Sequence, residues 1–386
     1  MSSAQIEIQL IASLVAIACA IPGTFLVLRK MALITDAISH SILPGIVIGF
    51  FITHDLSSPL LIVMAAASGV LTVILVEFIQ KTGLVKEDTA IGLVFPVLFS
   101  IGIILISKNA NDVHLDVDAV LLGELAFAPF DRLFIKDIDL GPKSLWVIGT
   151  ILIITVGLLF TFFKELKVST FDAGLASALG LSPMVMHYGL MTVSSVTTVG
   201  AFDAVGAILV IALMIAPAAT AYLLTNDLKK MLVLAITFGV GSAILGYWMA
   251  HALDASISGS MTTVLGLLFL LVYLFAPEKG LLSVLYRQRQ QRIEVSLLTF
   301  LLHLANHEEK EERHVQHLNE HINWQKVQAT SVLNLALKNN MITIDNNIVS
   351  LTDKGQHFTK EAIDYIITNK NSEIEHMKDR FFLFRG

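Results

Sequence analysis

The sequence predicts an all-α polytopic membrane protein with a small α+β domain at its C-terminal end, and three observations carry that prediction. Charged residues make up 15% of the 386 and hydrophobic ones 55%, whereas soluble chains carry about 25% charged residues. The deficit is uneven, because the first 286 residues hold 13 Lys/Arg and 19 Asp/Glu and the last 100 hold 13 of each. Apolar runs near the roughly 20 residues that cross a bilayer core recur along the first part of the chain only.

Those runs lie at 8–28, 31–52, 59–79, 89–106, 144–163, 184–202, 204–224, 231–251 and 260–276. The run at 89–106 is short and 184–207 is comparatively polar, so about nine transmembrane helices are expected, eight or nine. The first ten residues lack the basic region of a cleaved signal, and the first run is expected to stay in the mature chain. Cys19, the sole cysteine, lies inside that run, which excludes a disulfide framework.

Positive charge in short loops gives the orientation. Arg29-Lys30, Lys81/Lys86, Lys164/Lys167, Lys229-Lys230 and Lys279 fall at alternate ends, and the opposite ends at 54–59, 201–203 and 251–260 have no Lys or Arg. The N-terminus is therefore expected outside and the C-terminus in the cytoplasm. The connection 107–143 has four basic residues, yet it also has seven acids, and long loops weigh little. The net charge of −6 resides wholly in the membrane part, which suits a path for cations.

The expected division is a membrane domain over 1–285, a basic linker over 286–292, a soluble domain over 293–370 and a tail over 371–386. Periodicity predicts a helix over 293–306, and a charged stretch follows at 307–320. Asn323 is a good N-cap for a helix running from 324 to about 339. Residues 341–344 and 348–351 flank Asp345-Asn346-Asn347 as a short hairpin, and a last helix starts near Asp353. Helix, helix, helix, hairpin, helix is a winged-helix outline.

Asp36 and His40 are the sharpest chemical feature. Their i, i+4 spacing puts a carboxylate and an imidazole on one helix face, about 9 and 15 Å into the second run counted from Lys30. An ionisable group there costs about 2.5–3.5 kcal/mol on insertion scales, so such groups usually face a cavity and serve a function. Carboxylate plus imidazole suits Mn(II), Zn(II) or Fe(II). A hydrogen-bonded pair that only packs two spans together is the alternative. Pro44-Gly45 and Gly49 loosen the same helix, and interrupted helices often line substrate paths.

Two ligands are too few for a metal. Asp203 and His251, near the outer ends of their spans, are the nearest in kind; polar residues at the membrane interface are the plainer reading of each. His114, Asp116, Asp118 and Glu124 form an outer segment that reads equally as a metal-accepting lip, a docking surface or a solvated acidic loop. Residues 171–180 read as a short amphipathic helix with flanking glycines on the cytoplasmic side, able to seat in a partner's groove. No GxxxxGK[ST] phosphate loop occurs, so any ATP consumed in transport is hydrolysed by another chain.

Residues 28–45 (LRKMALITDAISHSILPG) resemble the signature region of the manganese/zinc/iron ABC importer permeases, the ABC-3 type. Similarity continues in order through 113–124 (VHLDVDAVLLGE), 171–180 and 205–225 (VGAILVIALMIAPAATAYLLT), over residues from about 8 to 280. The resemblance implies a permease of the bacterial cytoplasmic membrane that pairs with itself or a second permease. Cytoplasmic ABC ATPase subunits would drive it and an extracytoplasmic metal-binding protein would feed it. It implies that Asp36 and His40 are ligands of the cargo, Mn(II) or Zn(II) and less so Fe(II), and that no cofactor is permanently bound. It also implies that 171–180 is the coupling helix against the ATPase, with Phe171, Asp172, Ala176, Leu179 and Gly180 at the contact. Asp203 stands where manganese-type members often carry an acidic or amide residue. A secondary transporter coupled to protons or sodium and a membrane-tethered regulator are the rival readings.

The tail resembles the DNA-binding domain of diphtheria-toxin-repressor-type regulators, with 315–342 as helix-turn-helix and 350–355 (SLTDKG) as wing. A DNA-binding module needs a basic footprint, and this tail is net zero, so DNA binding is not favoured. Seven of the twelve histidines lie here. His303/His307 and His314/His317/His321 have helical spacings able to build a metal site, which makes cytosolic metal sensing one reading and a solvated charged face the other.

Overall fold

A computed structural model describes residues 2–54, 58–109, 125–135, 138–306 and 326–368. The chain divides into two compact units, residues 1–276 and 277–386. Among the described residues, the regular structure of the first is helical apart from one hairpin. Its helices are α1 (Ser3–Leu28), α2 (Leu33–Ser41), α3 (Leu43–Thr53), α4 (Pro59–Lys81) and α5 (Glu87–Asn109), followed by α6 (Lys143–Thr161), α7 (Phe163–Phe171) and α8 (Ala173–Ala178). The last four are α9 (Pro183–Val205), α10 (Ala207–Leu224), α11 (Leu228–Leu253) and α12 (Ile257–Phe275). Residues that can accept a hydrogen bond mark where helices begin: Ser58, Ser182, Asp227 and Ser256 each accept from a backbone N–H in the first turn of α4, α9, α11 and α12.

Eight helices among the described residues are long and apolar enough to cross a membrane, with α2 and α3 together forming one of them. The ninth expected run, 184–202, is a helix of 23 residues and too polar to qualify. Its polarity is turned inward, for Ser194, Ser195, Thr197 and Thr198 are all fully buried. Helix α9 packs against α4, α1, α6, α2 and α10, joining the group α2–α5 to the group around α1, α10, α11 and α12.

Helix α1 is the other axis of the unit, packed on α6, α9, α10 and α11. Small residues allow that, because lipid-phase helices associate by close van der Waals packing. Ala12, Ala16, Ala18, Cys19 and Ala20 are fully buried, and a Cβ on Gly23 would stand 1.9 Å from the Met214 carbonyl oxygen of α10. At the start of α1, the chain is held by a hairpin of β1 (Arg132–Ile135) and β2 (Ile138–Pro142). Arg132 lies 2.6 Å from Asp139 across the hairpin and 3.5 Å from Glu7 of α1. The Trp146 indole N–H donates to the Leu140 carbonyl at 3.0 Å, tying the hairpin to α6.

The second unit has α13 (Leu281–Asn306), α14 (Lys326–Lys338), a hairpin of β3 (Ile342–Asp345) and β4 (Ile348–Leu351), and α15 (Asp353–Thr368). The expected linker 286–292 is part of α13, because arginine and glutamine are good helix formers and neither glycine nor proline interrupts them. The hairpin turns through Asn346 and Asn347 at φ 50° and 64°. Both central residues of that tight turn are left-handed, a conformation asparagine tolerates. Leu297, Leu301 and Leu304 of α13 share one core with Val332, Val349 and Phe358. Residues 307–325, where the middle of the three expected helices falls, lie outside the described residues.

Two outcomes follow. Gly23→Ala drives a methyl into the α10 backbone and should cost about 1–3 kcal/mol, read as earlier heat-induced loss of the detergent-solubilised chain; Gly92→Ala, with open space at its Cβ, should be tolerated. The hydrogen bond from Arg132, helped by the Gly141 N–H, holds the Asp139 carboxyl below the usual carboxylate range. That contribution is therefore complete above the ordinary aspartate pKa of about 3.9 and is lost as pH falls through the depressed folded value. Trp146 fluorescence, with Trp248→Phe and Trp324→Phe, should report release of the hairpin in acid, at higher pH in Arg132→Ala.

Candidate functional site

Asp36 and His40 lie on α2, and His40 Nε2 is 3.4 Å from Asp36 Oδ1. Most of the short helix is buried: Ile34, Thr35, Ala37 and Ile38 are essentially inaccessible. The two polar side chains are the exception, 41% exposed for Asp36 and 34% for His40. With exposed Leu33 they form one stripe at i, i+3 and i+7 that the chain's own helices leave open. The His40 ring lies 5.6 Å from that of Phe95 on α5, which limits its swing.

An exposed pair at this separation is worth about 0–1 kcal/mol, against about 2.5–3.5 kcal/mol for each ionisable group at the centre of a span. The pair therefore does not stabilise the helix enough to explain its presence.

The helix stops at Ser41, one residue beyond His40, and α3 starts at Leu43. Pro44 at the start of α3 has no N–H to offer the His40 carbonyl, so the helix breaks there. Hydroxyls on α4 take up the freed groups. Ser68 Oγ donates to the Ser41 carbonyl at 2.6 Å, and Thr72 Oγ1 donates to Ser41 Oγ at 2.5 Å. Ser41 Oγ in turn donates to the Ala37 carbonyl at 2.7 Å. A Cβ on Gly45 would sit 2.3 Å from the Met64 carbonyl oxygen, so only glycine lets α3 approach α4 this closely. Helix α4 is itself braced by α9, where Ser195 Oγ donates to the Ala66 carbonyl at 3.0 Å.

The remaining candidates do not gather around this pair. Among the described residues no three His, Cys, Asp or Glu side chains converge on a point. Asp203 is exposed near the end of α9. His251 is exposed on α11, stacked on Tyr247 at 6.4 Å, and with Asp254 it lines a cavity of about 340 Å³ beside Leu125–Phe127. His114, Asp116, Asp118 and Glu124 lie outside the described residues, as do His307, His314, His317 and His321; His303 is half-buried on α13.

The segment 171–180 is not one helix. Asp172 ends α7 and caps α8, accepting from the Leu175 N–H at 2.8 Å, and Gly180 turns the chain at φ 78°. Ala176 faces inward and is fully buried, whereas Phe171, Leu175 and Leu179 are 60%, 50% and 62% exposed. All three are apolar and exposed, Leu175 among them although the expected contact set omitted it.

One cluster escaped the sequence altogether. Where α1 and α4 end and α9 begins, Glu77 of α4 is in contact with His187 Nε2 and accepts from the Tyr188 hydroxyl at 2.8 Å. Arg29 Nη1 lies 3.4 Å from His187 Nδ1, and the same guanidinium donates to Ser169 and Thr170 of α7 at 2.9 and 3.1 Å. Residues 29, 77, 169 and 187 have no spacing that would join them in one dimension. The faint signal was a carboxylate and an imidazole each just inside an apolar run.

Known proteins resemble the chain over the same region. The model of the ABC 3 transport family matches residues 4–276. The zinc transport system membrane protein TroD of Treponema pallidum (strain Nichols) is 46% identical over 362 residues, covering 93% of this chain and 98% of that protein. That share is too large to end at residue 276, so the likeness runs into the second unit. The manganese transport system membrane protein MntD of Bacillus subtilis (strain 168) is 43% identical over 270 residues, covering 70% of this chain and 91% of that one. Among solved structures, PsaBC from Streptococcus pneumoniae in complex with Fab superposes with a TM-score of 0.62 at 30% identity, covering 74% of this chain and 96% of that chain. With its membrane helices, its broken second span and this likeness over more than two thirds of its length, the chain belongs to the ABC 3 transport family.

Proposed function

We propose that the chain is the membrane permease of an ATP-driven importer that carries a divalent transition metal into the cytoplasm, with Asp36 and His40 binding the cargo in transit. The observation that carries this is the half-exposed carboxylate–imidazole pair on a broken, otherwise buried helix. Oxygen and nitrogen donors suit Mn(II), Zn(II) and Fe(II), and relatives named for zinc and for manganese transport support that cargo class. Fewer than three protein ligands would hold a metal weakly on this chain alone. The stripe of Leu33, Asp36 and His40 is where a second permease would face it and complete the site. In this reading Asp203 and His251 belong to the outer approach rather than to the pair.

In this reading the hairpin end of the unit is outside and the end with Arg29, Lys81 and the α7–α8 segment is cytoplasmic, as loop charge suggests. The exposed apolar group Phe171, Leu175 and Leu179 seats against a separate ATPase subunit, since this chain has no phosphate loop of its own. The permease domain ends near residue 276, and the second unit is a cytoplasmic appendage whose DNA binding its charge disfavours.

Metal accumulated by manganese- and zinc-starved cells expressing the complete transporter should fall at least about tenfold in Asp36→Ala and in His40→Ala at matched membrane abundance. Wild-type accumulation of every metal in both variants would overturn the reading. Leu175→Asp and Leu179→Asp should abolish co-purification of the ATPase while leaving metal binding by the permease intact; retained ATPase would remove 171–180 from the contact.

A further inference from the structure

The Arg29–His187–Glu77 cluster joins residues next to or on α1, α4, α7 and α9. The α7–α8 segment meets the rest of its unit through α6, its neighbour in the chain, and through packing on α9. Arg29, on the last turn of α1, adds two hydrogen bonds to α7 through Ser169 and Thr170, and its third nitrogen faces His187 of α9. His187 and Tyr188 then clasp both carboxylate oxygens of Glu77 on α4. Side-chain exposures of 13% for Glu77 and 18% for His187 keep water from competing for these bonds.

Helices α4 and α9 also help to brace the broken span. Ser68 and Thr72 of α4 hold Ser41, and Ser195 of α9 holds the Ala66 carbonyl of α4. Gly69 lets the two helices approach so closely that a Cβ there would lie 2.1 Å from Ser195 Oγ. Polar contacts thus tie α7 to one end of the packed α4–α9 pair through Arg29, His187 and Glu77, and tie α4 farther along to the turn beneath His40. The cluster is not a second cation site, since Arg29 and Lys81 both lie within 3.4 Å of its members and would repel a divalent ion.

We propose that Arg29, His187 and Glu77 are the positioning residues through which movement of the α7–α8 segment reaches the α4–α9 pair and so the cargo-binding turn. The proposal rests on the reading of residues 171–180 as the ATPase contact. Its physical content is that a planar guanidinium fork and a doubly held carboxylate transmit displacement with little slack, which a packed apolar contact free to slide would not. Arg29→Lys loses the fork and with it the simultaneous grip on two hydroxyls and the imidazole.

The test is metal transported per ATP hydrolysed by the complete transporter reconstituted in liposomes, with Mn(II) or Zn(II) as probe. Arg29→Ala and Glu77→Gln are expected to lower that ratio by roughly two- to thirty-fold, with ATPase association and metal affinity of the permease unchanged. Arg29→Lys is expected to fall between wild type and Arg29→Ala. Should Arg29→Ala fail to accumulate, Tyr188→Phe, which removes one hydroxyl and no charge, is expected to shift the same ratio in the same direction. An unchanged ratio in Glu77→Gln and either Arg29→Ala or Tyr188→Phe, with the ATPase bound, overturns the proposal, as does a loss confined to metal affinity. Failure of the underlying reading is seen separately, as retention of the ATPase by Leu175→Asp and Leu179→Asp.

Discussion

Everything at the candidate site depends on how the break after Ser41 is satisfied. Inside a bilayer no water is available to a backbone carbonyl released from its helix, and each such group left unpaired costs several kcal/mol. Pro44 makes the break unavoidable. Ser68 supplies a donor from α4 to the Ser41 carbonyl and Thr72 bonds the Ser41 hydroxyl, so α4 holds the broken turn at Ser41. That solution sets the direction of α2, and α2 in turn presents Asp36 and His40 along an open stripe while burying its other residues. A proline that would be a defect in an ordinary span becomes the feature that positions this carboxylate–imidazole pair.

The same economy explains why α9 is polar. A helix rich in serine and threonine lowers its own tendency to partition into lipid, yet Ser194, Ser195, Thr197 and Thr198 are all buried within the protein. Ser195 reaches the α4 backbone and Thr198 the Met214 sulfur at 3.7 Å. Hydroxyls of this kind are worth only about 0.6 kcal/mol each on average in a membrane protein, so their value lies in fixing geometry. They hold α4 and α9 in one register from the end near Glu77 to the turn beneath His40.

Much of this was legible in the sequence, for identifiable reasons. Span positions follow from runs of apolar residues, a local property, and the Asp36–His40 pair follows from an i, i+4 spacing that a single helix turns into proximity. The tail hairpin followed from two strand-like runs around Asp345–Asn347, and the structure confines the turn to Asn346 and Asn347. What the sequence hid was tertiary. The count of spans stayed open because hydropathy does not reveal whether the hydroxyls of α9 face lipid or protein. Ala176 is buried and Leu175 exposed because the capping bond at Asp172 divides the segment and starts a new helix there. Arg29, Glu77 and His187 come from three helices far apart in the chain, and only packing brings them together.

The central claim is that the imidazole of His40 binds the cargo. The most direct measurement is pulsed electron paramagnetic resonance on the complete transporter loaded with Mn(II), comparing wild type with His40→Gln. The account predicts a nitrogen hyperfine coupling from a metal-bound imidazole in wild type and its disappearance in His40→Gln. A coupling of unchanged size in the variant, or none in a wild-type protein that has bound Mn(II), would contradict it.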